Sequence, residues 1–380
     1  MTKILYFYPE NPLLINQGNN ARANALLLYF KDRNFTVDFV GEETGDFTES
    51  HLREIEKEGL VNKGYLIRKY KRKGIKYLIK HSIPNRIKAN RYFKKRIGVG
   101  QKEDFESVLK NNSYDYIIVS YVLFAPFIAN KEIIGKAKTI VDTHDFLTAQ
   151  FIDFKGFKLG EAFETEMKML NKFDSIWSIS SEESFIFSQF LPQKDITIIA
   201  HGMENKSNLK KANAKIDVLY VASNNPHNRK SAIWFFEKVY PLLSKNINIT
   251  VVGRVCTVIS EYKNVQKIAY IENLDTLYEE SKITICPMLS GTGLKIKVVE
   301  SLSYGIPVVC NERGVDGLLC KINNGCLVTN DNVKFAENIT HLLEDEEFYN
   351  THSTNAKNLF SSSLEKKFVY KKLDSFFNKP

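Results

Sequence analysis

The residues best suited to chemistry lie between Ile283 and Cys310. The run reads Ile283-Thr-Ile-Cys-Pro-Met-Leu-Ser-Gly291-Thr292-Gly293-Leu294-Lys295-Ile-Lys297-Val-Val-Glu300, followed by Ser-Leu-Ser-Tyr-Gly305-Ile-Pro307-Val-Val-Cys310. Its pattern is strand, glycine-rich turn, helix, glycine stop, proline, strand. A glycine turn that opens a helix presents free backbone N–H groups and the positive end of the helix dipole, which suits a phosphate. Lys295 and Lys297 add positive charge, and Glu300 follows Lys297 by three positions on the same helix face. A carboxylate there can accept hydrogen bonds from ribose hydroxyls while the helix start holds a diphosphate. The spacing also fits an ordinary β-α-β corner in which Gly291 and Gly293 only make a tight turn.

Further polar stretches sit at expected strand ends in the first half. Val141-Asp142-Thr143-His144-Asp145 follows a strand pattern and opens a loop. His144 and Asp142 fit equally as caps of the next turn. Gln17-Gly18-Asn19-Asn20-Ala21-Arg22 opens the first helix. Gly18 permits close backbone approach and Arg22 can meet a phosphate, although an ordinary turn explains the stretch as well. Ser180-Ser181-Glu182-Glu183 reads as a helix N-cap with acidic first-turn residues. No Asp-x-Asp stands at a strand end and no His/Cys/carboxylate cluster has metal spacing. A metal-independent protein without cofactor is therefore expected, with any leaving diphosphate stabilised by the helix dipole and basic side chains.

These residues need strand ends and helix starts to hold them, and the pattern supplies both. Ile4–Tyr8, Thr36–Val40, Tyr116–Ser120, Thr139–Asp142 and Ser175–Ser178 read as short buried strands, with helical patterns at 21–33 and 161–173. Ile196–Ala200 ends at His201-Gly202, read as a structural turn. Residues 203–215 are polar and aperiodic and read as a linker. The alternation then restarts, with strands at Asp217–Ala222, Ile249–Val252, Ile283–Cys286 and Val308–Cys310. Helices are expected at 229–244, 275–281 and 294–304, and from Asn332 to the end. Two α/β units with parallel sheets follow, and an interdomain cleft is the expected ligand site.

The chain has 380 residues with 53 Lys+Arg against 44 Asp+Glu, a net charge of +9. Its 43% hydrophobic and 26% charged residues exclude a disordered or collagen-like chain. The charge is concentrated: 63–102 holds 15 basic and no acidic residues, and removing those 15 from 53 leaves 38 basic against 44 acidic, a net of −6. Leu66, Ile67, Tyr70, Tyr77, Leu78 and Ile79 lie among Arg68, Lys69, Lys71, Arg72, Lys73, Lys76 and Lys80. That mixture reads as a basic amphipathic helix for an anionic membrane surface or acceptor, with a solvated face as the plainer reading. No nucleic-acid motif accompanies it. All five cysteines lie in the second half without a CxxC pair, which fits reduced thiols better than disulfides or zinc. No apolar run is long enough to span a membrane. A cytoplasmic protein, peripheral at the inner face of the cell membrane, is expected.

The 283–310 stretch resembles the nucleotide-sugar site of group 1 glycosyltransferases, family 4 and relatives. Other segments resemble theirs in the same order: Leu219 to Phe236 with Asn228, Val251-Val-Gly253-Arg254, Ile271 to Tyr278, and Asp316-Gly317-Leu318. The resemblance covers about 217–343 well and the first half loosely. It implies a GT-B fold. Its expected parts are an N-terminal acceptor-side domain 1–203, a linker 204–215, a nucleotide-sugar domain 216–363, and a closing helix 364–380 packing back on the first domain. It implies that Glu300 binds the ribose. Gly291, Thr292, Gly293, Leu294, Lys295, Lys297, Arg229, Arg254 and Ser223 are the implied donor loop and its surroundings. His144 would contact the donor sugar with Asp142 or Asp145 as acid/base partner, and Gly18, Asn19 and Arg22 would form an acceptor or phosphate loop. Thr292 stands where many relatives carry the first Glu of a Glu-x7-Glu pair, and Ser223 where many carry an Arg. The implied reaction is transfer from a UDP- or GDP-sugar to a glycan or lipid-linked acceptor, retaining, in bacterial surface polysaccharide synthesis. An epimerase or hydrolase on the same fold, or a non-catalytic subunit, remains the alternative. Nucleic acid is not among the expected partners.

Overall fold

The computed structural model describes residues 2–14, 18–68, 79, 96–152, 154–209, 214–291 and 293–378. The chain divides into two compact units, Met1–Ile199 and Ala200–Pro380. The division falls at the turn before His201-Gly202, and the polar stretch after it belongs to the second unit.

The first unit is built on a seven-stranded parallel sheet: β1 (Lys3–Phe7), β2 (Thr36–Glu42), β3 (Lys63–Ile67), β4 (Tyr116–Ser120), β5 (Lys138–Asp142), β6 (Ser175–Ser178) and β7 (Asp195–Ile198). Their spatial order is β3-β2-β1-β4-β5-β6-β7. Ile4, Leu5, Tyr6, Phe7, Ile118, Val119, Ile140 and Val141 are fully buried. Such near-continuous apolar runs suit strands covered on both faces. The apolar run at 117–129 is the end of β4 followed by a 3₁₀ helix, Val122–Ile128, that contains Pro126.

The second unit carries a six-stranded parallel sheet: β8 (Ile216–Val221), β9 (Ile249–Val252), β10 (Val265–Ile268), β11 (Ser281–Cys286), β12 (Val308–Cys310) and β13 (Cys326–Val328), in the order β10-β9-β8-β11-β12-β13. Both sheets reverse direction of growth at one point, between β1 and β4 and between β8 and β11. Doubly wound sheets bind ligands beyond the strand C-termini at such a switch point.

Three edge or near-edge strands, β3, β10 and β13, escape the sequence pattern. They are short and carry lysines, glycine or exposed positions that break an apolar run. Leu66 and Ile67, expected in a basic helix, close β3 instead, in register with Gly41 and Glu42 of β2. The helix expected at 229–244 is an α-helix Pro226–Trp234 continued by a π turn Phe235–Val239 and a 3₁₀ turn containing Pro241. Among the described residues, no helix is long and apolar enough to cross a membrane.

Candidate functional site

In the second unit, the loop after β11 brings the donor-site residues together. Gly291 and Gly293 adopt φ of 96° and 76°, conformations that other residues rarely take. Thr292 lies outside the described residues. The helix Ile296–Ser303 starts at Lys295, whose side chain makes no cap hydrogen bond to it. The Asp316-Gly317-Leu318 loop packs on this turn. A Cβ on Gly317 would sit 2.9 Å from Leu294 Cα, and its φ is 83°, so only glycine permits the approach.

Lys297 Nζ donates to Asn228 Oδ1 at 3.1 Å. Asn228 Nδ2 in turn donates to the carbonyl and hydroxyl oxygens of Ser223, both at 3.0 Å. The N-cap Asn225 takes the Asn228 N–H at 2.8 Å, with Pro226 at the first helical position. The ends of β8 and β11 are thereby tied through one amide. Among the described residues no carboxylate reaches ion-pair distance of Lys297, whose ammonium also lies 5.9 Å from the Tyr220 ring centroid. Burial lowers its pKa, and that cost is relieved by an anion placed beside it. Lys295 is buried, donates to Gly293 O at 2.7 Å, and its pKa is lowered by burial against the pull of Asp316. His227 Nδ1 meets Ser290 Oγ at 2.8 Å and flanks Gly291. Arg229 and Arg254 are exposed on the helix and turn that follow β8 and β9.

Glu300 lies half-buried one turn beyond Lys297. Tyr278 O–H donates to its Oε2 at 2.9 Å. Burial raises the Glu300 carboxyl pKa, while Tyr278, Lys206 and Lys297 pull it back down. Asn228 and Tyr278 fall in segments that resemble the family, but neither they nor His227 and Lys206 are assigned a site role by the sequence.

The first unit assembles a different cluster at the ends of β1, β4 and β5. Arg22 is 2% exposed and Asp142 fully buried. Arg22 Nε and Nη2 donate to Asp142 at 2.6–3.1 Å, and Nη1 donates to Ile199 O at 2.7 Å. The Arg22 guanidinium, expected from sequence to meet an acceptor phosphate, is engaged inside the unit. His144 Nε2 lies 3.0 Å from Asp142 Oδ2, in a contact that is electrostatic rather than a directed hydrogen bond. Burial alone would raise the Asp142 carboxyl pKa, but Arg22 and His144 hold it well below the usual carboxylate range. Asp142 has no exposed surface.

His144 itself has φ of 62° and is 6% exposed. Its ring stacks on Tyr121 at 4.3 Å and on Tyr8 at 5.8 Å. Asn19 Nδ2 donates to Tyr121 Oη at 3.0 Å and to Glu10 Oε2 at 3.1 Å, and Gly18 begins the helix Gly18–Asp32. Two buried carboxylates hold the loop from outside. Glu166 takes the N–H groups of Leu147 and Thr148 at 2.8 and 2.7 Å. Glu183, read from sequence as an acidic first-turn residue, takes Thr143 Oγ1–H at 3.1 Å and is buried. Burial pushes both carboxyls up to about 7, with Asp145 adding to the effect. The basic patch Lys69, Lys71, Arg72, Lys73 and Lys76 lies outside the described residues.

The comparisons with known proteins bear on the second unit first. Residues 215–345 match the family model described as "Glycosyl transferases group 1". This stretch is a group 1 glycosyltransferase domain. The whole chain has the fold of sucrose-phosphate synthase from Thermosynechococcus elongatus, with a TM-score of 0.72 over 99% of this chain and 98% of that one at 13% identity. HepE from Anabaena, solved in complex with UDP, superposes with a TM-score of 0.70 over 99% of both chains at 13% identity. An uncharacterised 44.6 kDa protein in the cps region of Klebsiella pneumoniae is 26% identical over 302 residues, covering 67% of this chain and 76% of its own. The fold is GT-B, with one parallel-sheet Rossmann-like unit in each half.

Proposed function

We propose that the glycosyltransferase moves a sugar from a nucleotide-sugar donor to a surface-glycan or lipid-linked acceptor, without a metal and with retention. The observation that carries this reading is the pairing of Lys297 and Glu300 on successive turns of the helix that follows the Gly291–Gly293 loop, inside the matched domain. The helix start, Lys297 and the exposed Arg229 and Arg254 supply positive potential for the diphosphate. Glu300, one turn along, accepts from the ribose hydroxyls. As the glycosidic bond to the diphosphate breaks, negative charge grows on the leaving oxygen, and preorganised N–H groups and ammonium groups stabilise it. His144 serves the transferred sugar, with Asp142 fixing its ring.

UDP in HepE supports a UDP donor, and the cps-region relative supports polysaccharide synthesis. For the acceptor side, the argument is charge and position. Ile67 ends β3 at the ligand-binding edge of the sheet, and the chain returns at Arg96, 6.0 Å from the Tyr121 ring. The basic segment therefore leaves from and returns to the edge that holds His144. Each basic group near an anionic surface contributes about 1 kcal/mol.

Two tests follow. Glu300→Ala should weaken nucleotide binding about tenfold or more in calorimetry while the protein stays folded; unchanged affinity removes the site assignment. Neutralising Lys69, Lys71, Arg72 and Lys73 together should reduce binding to anionic vesicles at low salt; persistent binding removes the membrane part of the proposal.

A further inference from the structure

The carboxylate assigned to the ribose is the end of a chain of contacts that begins where the second unit begins. Tyr278 sits in the short helix Asp275–Glu279, is buried, and donates its hydroxyl hydrogen to Glu300. Its ring stacks on Tyr304, with centroids 5.2 Å apart and planes 14° from parallel. Tyr304 O–H donates to Asp275 Oδ1 at 2.7 Å, and Lys206 Nζ donates to the same oxygen at 2.7 Å. The Lys206 backbone N–H donates to Ser303 O at 2.9 Å, and Ser303 Oγ–H donates to Glu300 O at 2.6 Å. The Lys206 ammonium lies 5.5 Å from the Tyr304 ring centroid. Two aromatic rings and two backbone-anchored contacts thus brace one carboxylate.

The brace has a chemical consequence. Glu300 serves ribose hydroxyls best in the ionised form, in which both oxygens accept and the bonds are charge-assisted. Burial works against ionisation, and Asp275 adds like charge from the neighbouring helix. The groups that face Glu300 from every packed element are Tyr278 and Asp275 on the short helix, Tyr304 and Lys297 on its own helix and its end, and Lys206 on the entering segment. Of these, Tyr278 is the one that donates directly to the carboxylate. The phenol keeps its proton, because burial and the adjacent Glu300 raise its pKa well above normal. Donation therefore runs in one direction, from Tyr278 to Glu300, which leaves Oε1 for the ligand.

We propose that Tyr278 is a positioning residue that keeps Glu300 ionised and aimed at the ribose, with Tyr304, Asp275 and Lys206 as its support. The proposal rests on the reading of Glu300 as the ribose ligand. Removing the Tyr278 hydroxyl raises the Glu300 pKa, so affinity for nucleotide begins to fall at a higher pH. At alkaline pH, where Glu300 is ionised regardless, affinity recovers.

The test is calorimetric titration from pH 5 to 9 of the wild type, Tyr278→Phe, Lys206→Met and Glu300→Ala. The probe is whichever of UDP, GDP, ADP and CMP binds the wild type best. Tyr278→Phe should move the midpoint of the affinity–pH curve upward by about one unit, with affinity at pH 9 within about threefold of wild type. Lys206→Met should move it the same way by less, and its partly exposed side chain makes that variant the safer folder. A uniform loss across the whole pH range, or an unmoved midpoint in both variants, overturns the positioning role. Unchanged binding by Glu300→Ala overturns the ribose assignment itself. If none of the four nucleotides binds the wild type, the site reading and this inference both fall.

Discussion

The two units share a strand order but treat charge oppositely at the edge where their ligands belong. At the ends of β1 and β5, charge is closed on itself. Arg22 and Asp142 are buried together, His144 completes the set, and each of the three Arg22 guanidinium nitrogens donates to an acceptor within the unit. At the ends of β8 and β11, Lys297 meets an amide oxygen and Glu300 meets a phenol. Both remain half-buried at the surface of the loop cluster. A buried ion pair that is fully hydrogen-bonded fixes geometry and has little left to offer a ligand. A partly desolvated ammonium with a neutral partner retains its attraction for an anion. On the proposed reading, the Arg22–Asp142 pair of the first cluster fixes His144 for its sugar contact, and the second cluster binds the donor.

The largest expected effect tests the closed side. Arg22→Ala leaves Asp142 as an uncompensated buried charge and should cost about 3–5 kcal/mol of stability in denaturant unfolding. A loss below about 1 kcal/mol would mean that the cluster is not the closed pair described.

A smaller effect comes from the carboxylates around the His144 loop. Glu183 has its pKa pushed up to about 7 by burial and then by Asp145. Its folded pKa lies above the unfolded one, so the contribution it makes to stability is present in full below about 4.5 and lost as pH rises through about 7. Its size is on the order of 3 kcal/mol, from about 2.5 units at about 1.4 kcal/mol each. Glu183→Gln keeps the shape but removes the titration. Wild-type Tm should therefore fall more steeply than that of the variant between pH 5 and 8, and parallel curves would contradict the assignment.

Much of this was legible in the sequence, for identifiable reasons. β4, β6, β9 and β12 begin and end where the apolar runs do, because central parallel strands are buried on both faces. The glycine turn and the helix behind it were readable from Gly291, Gly293, Lys297 and Glu300, since turn and helix-start chemistry is local in sequence. What was not legible is long-range. Arg22 and Asp142 are 120 residues apart, and nothing local marks Arg22 as buried. Glu183 obeys the first-turn rule for acidic residues and is also a buried acceptor for Thr143, 40 positions away. Tyr278 reads as one more apolar residue in a short helix until its hydroxyl is seen on Glu300. The edge strand β3 was hidden because its lysine and arginine neighbours suggested an amphipathic helix.

The most direct test of the central claim is Lys297→Gln, measured with a nucleoside diphosphate and with the matching nucleoside. The base is the one that binds the wild type best. If the second unit's open charge serves the diphosphate, the substitution should weaken the diphosphate about tenfold and leave the nucleoside unchanged. Equal loss for both, or no loss for either, would contradict the account.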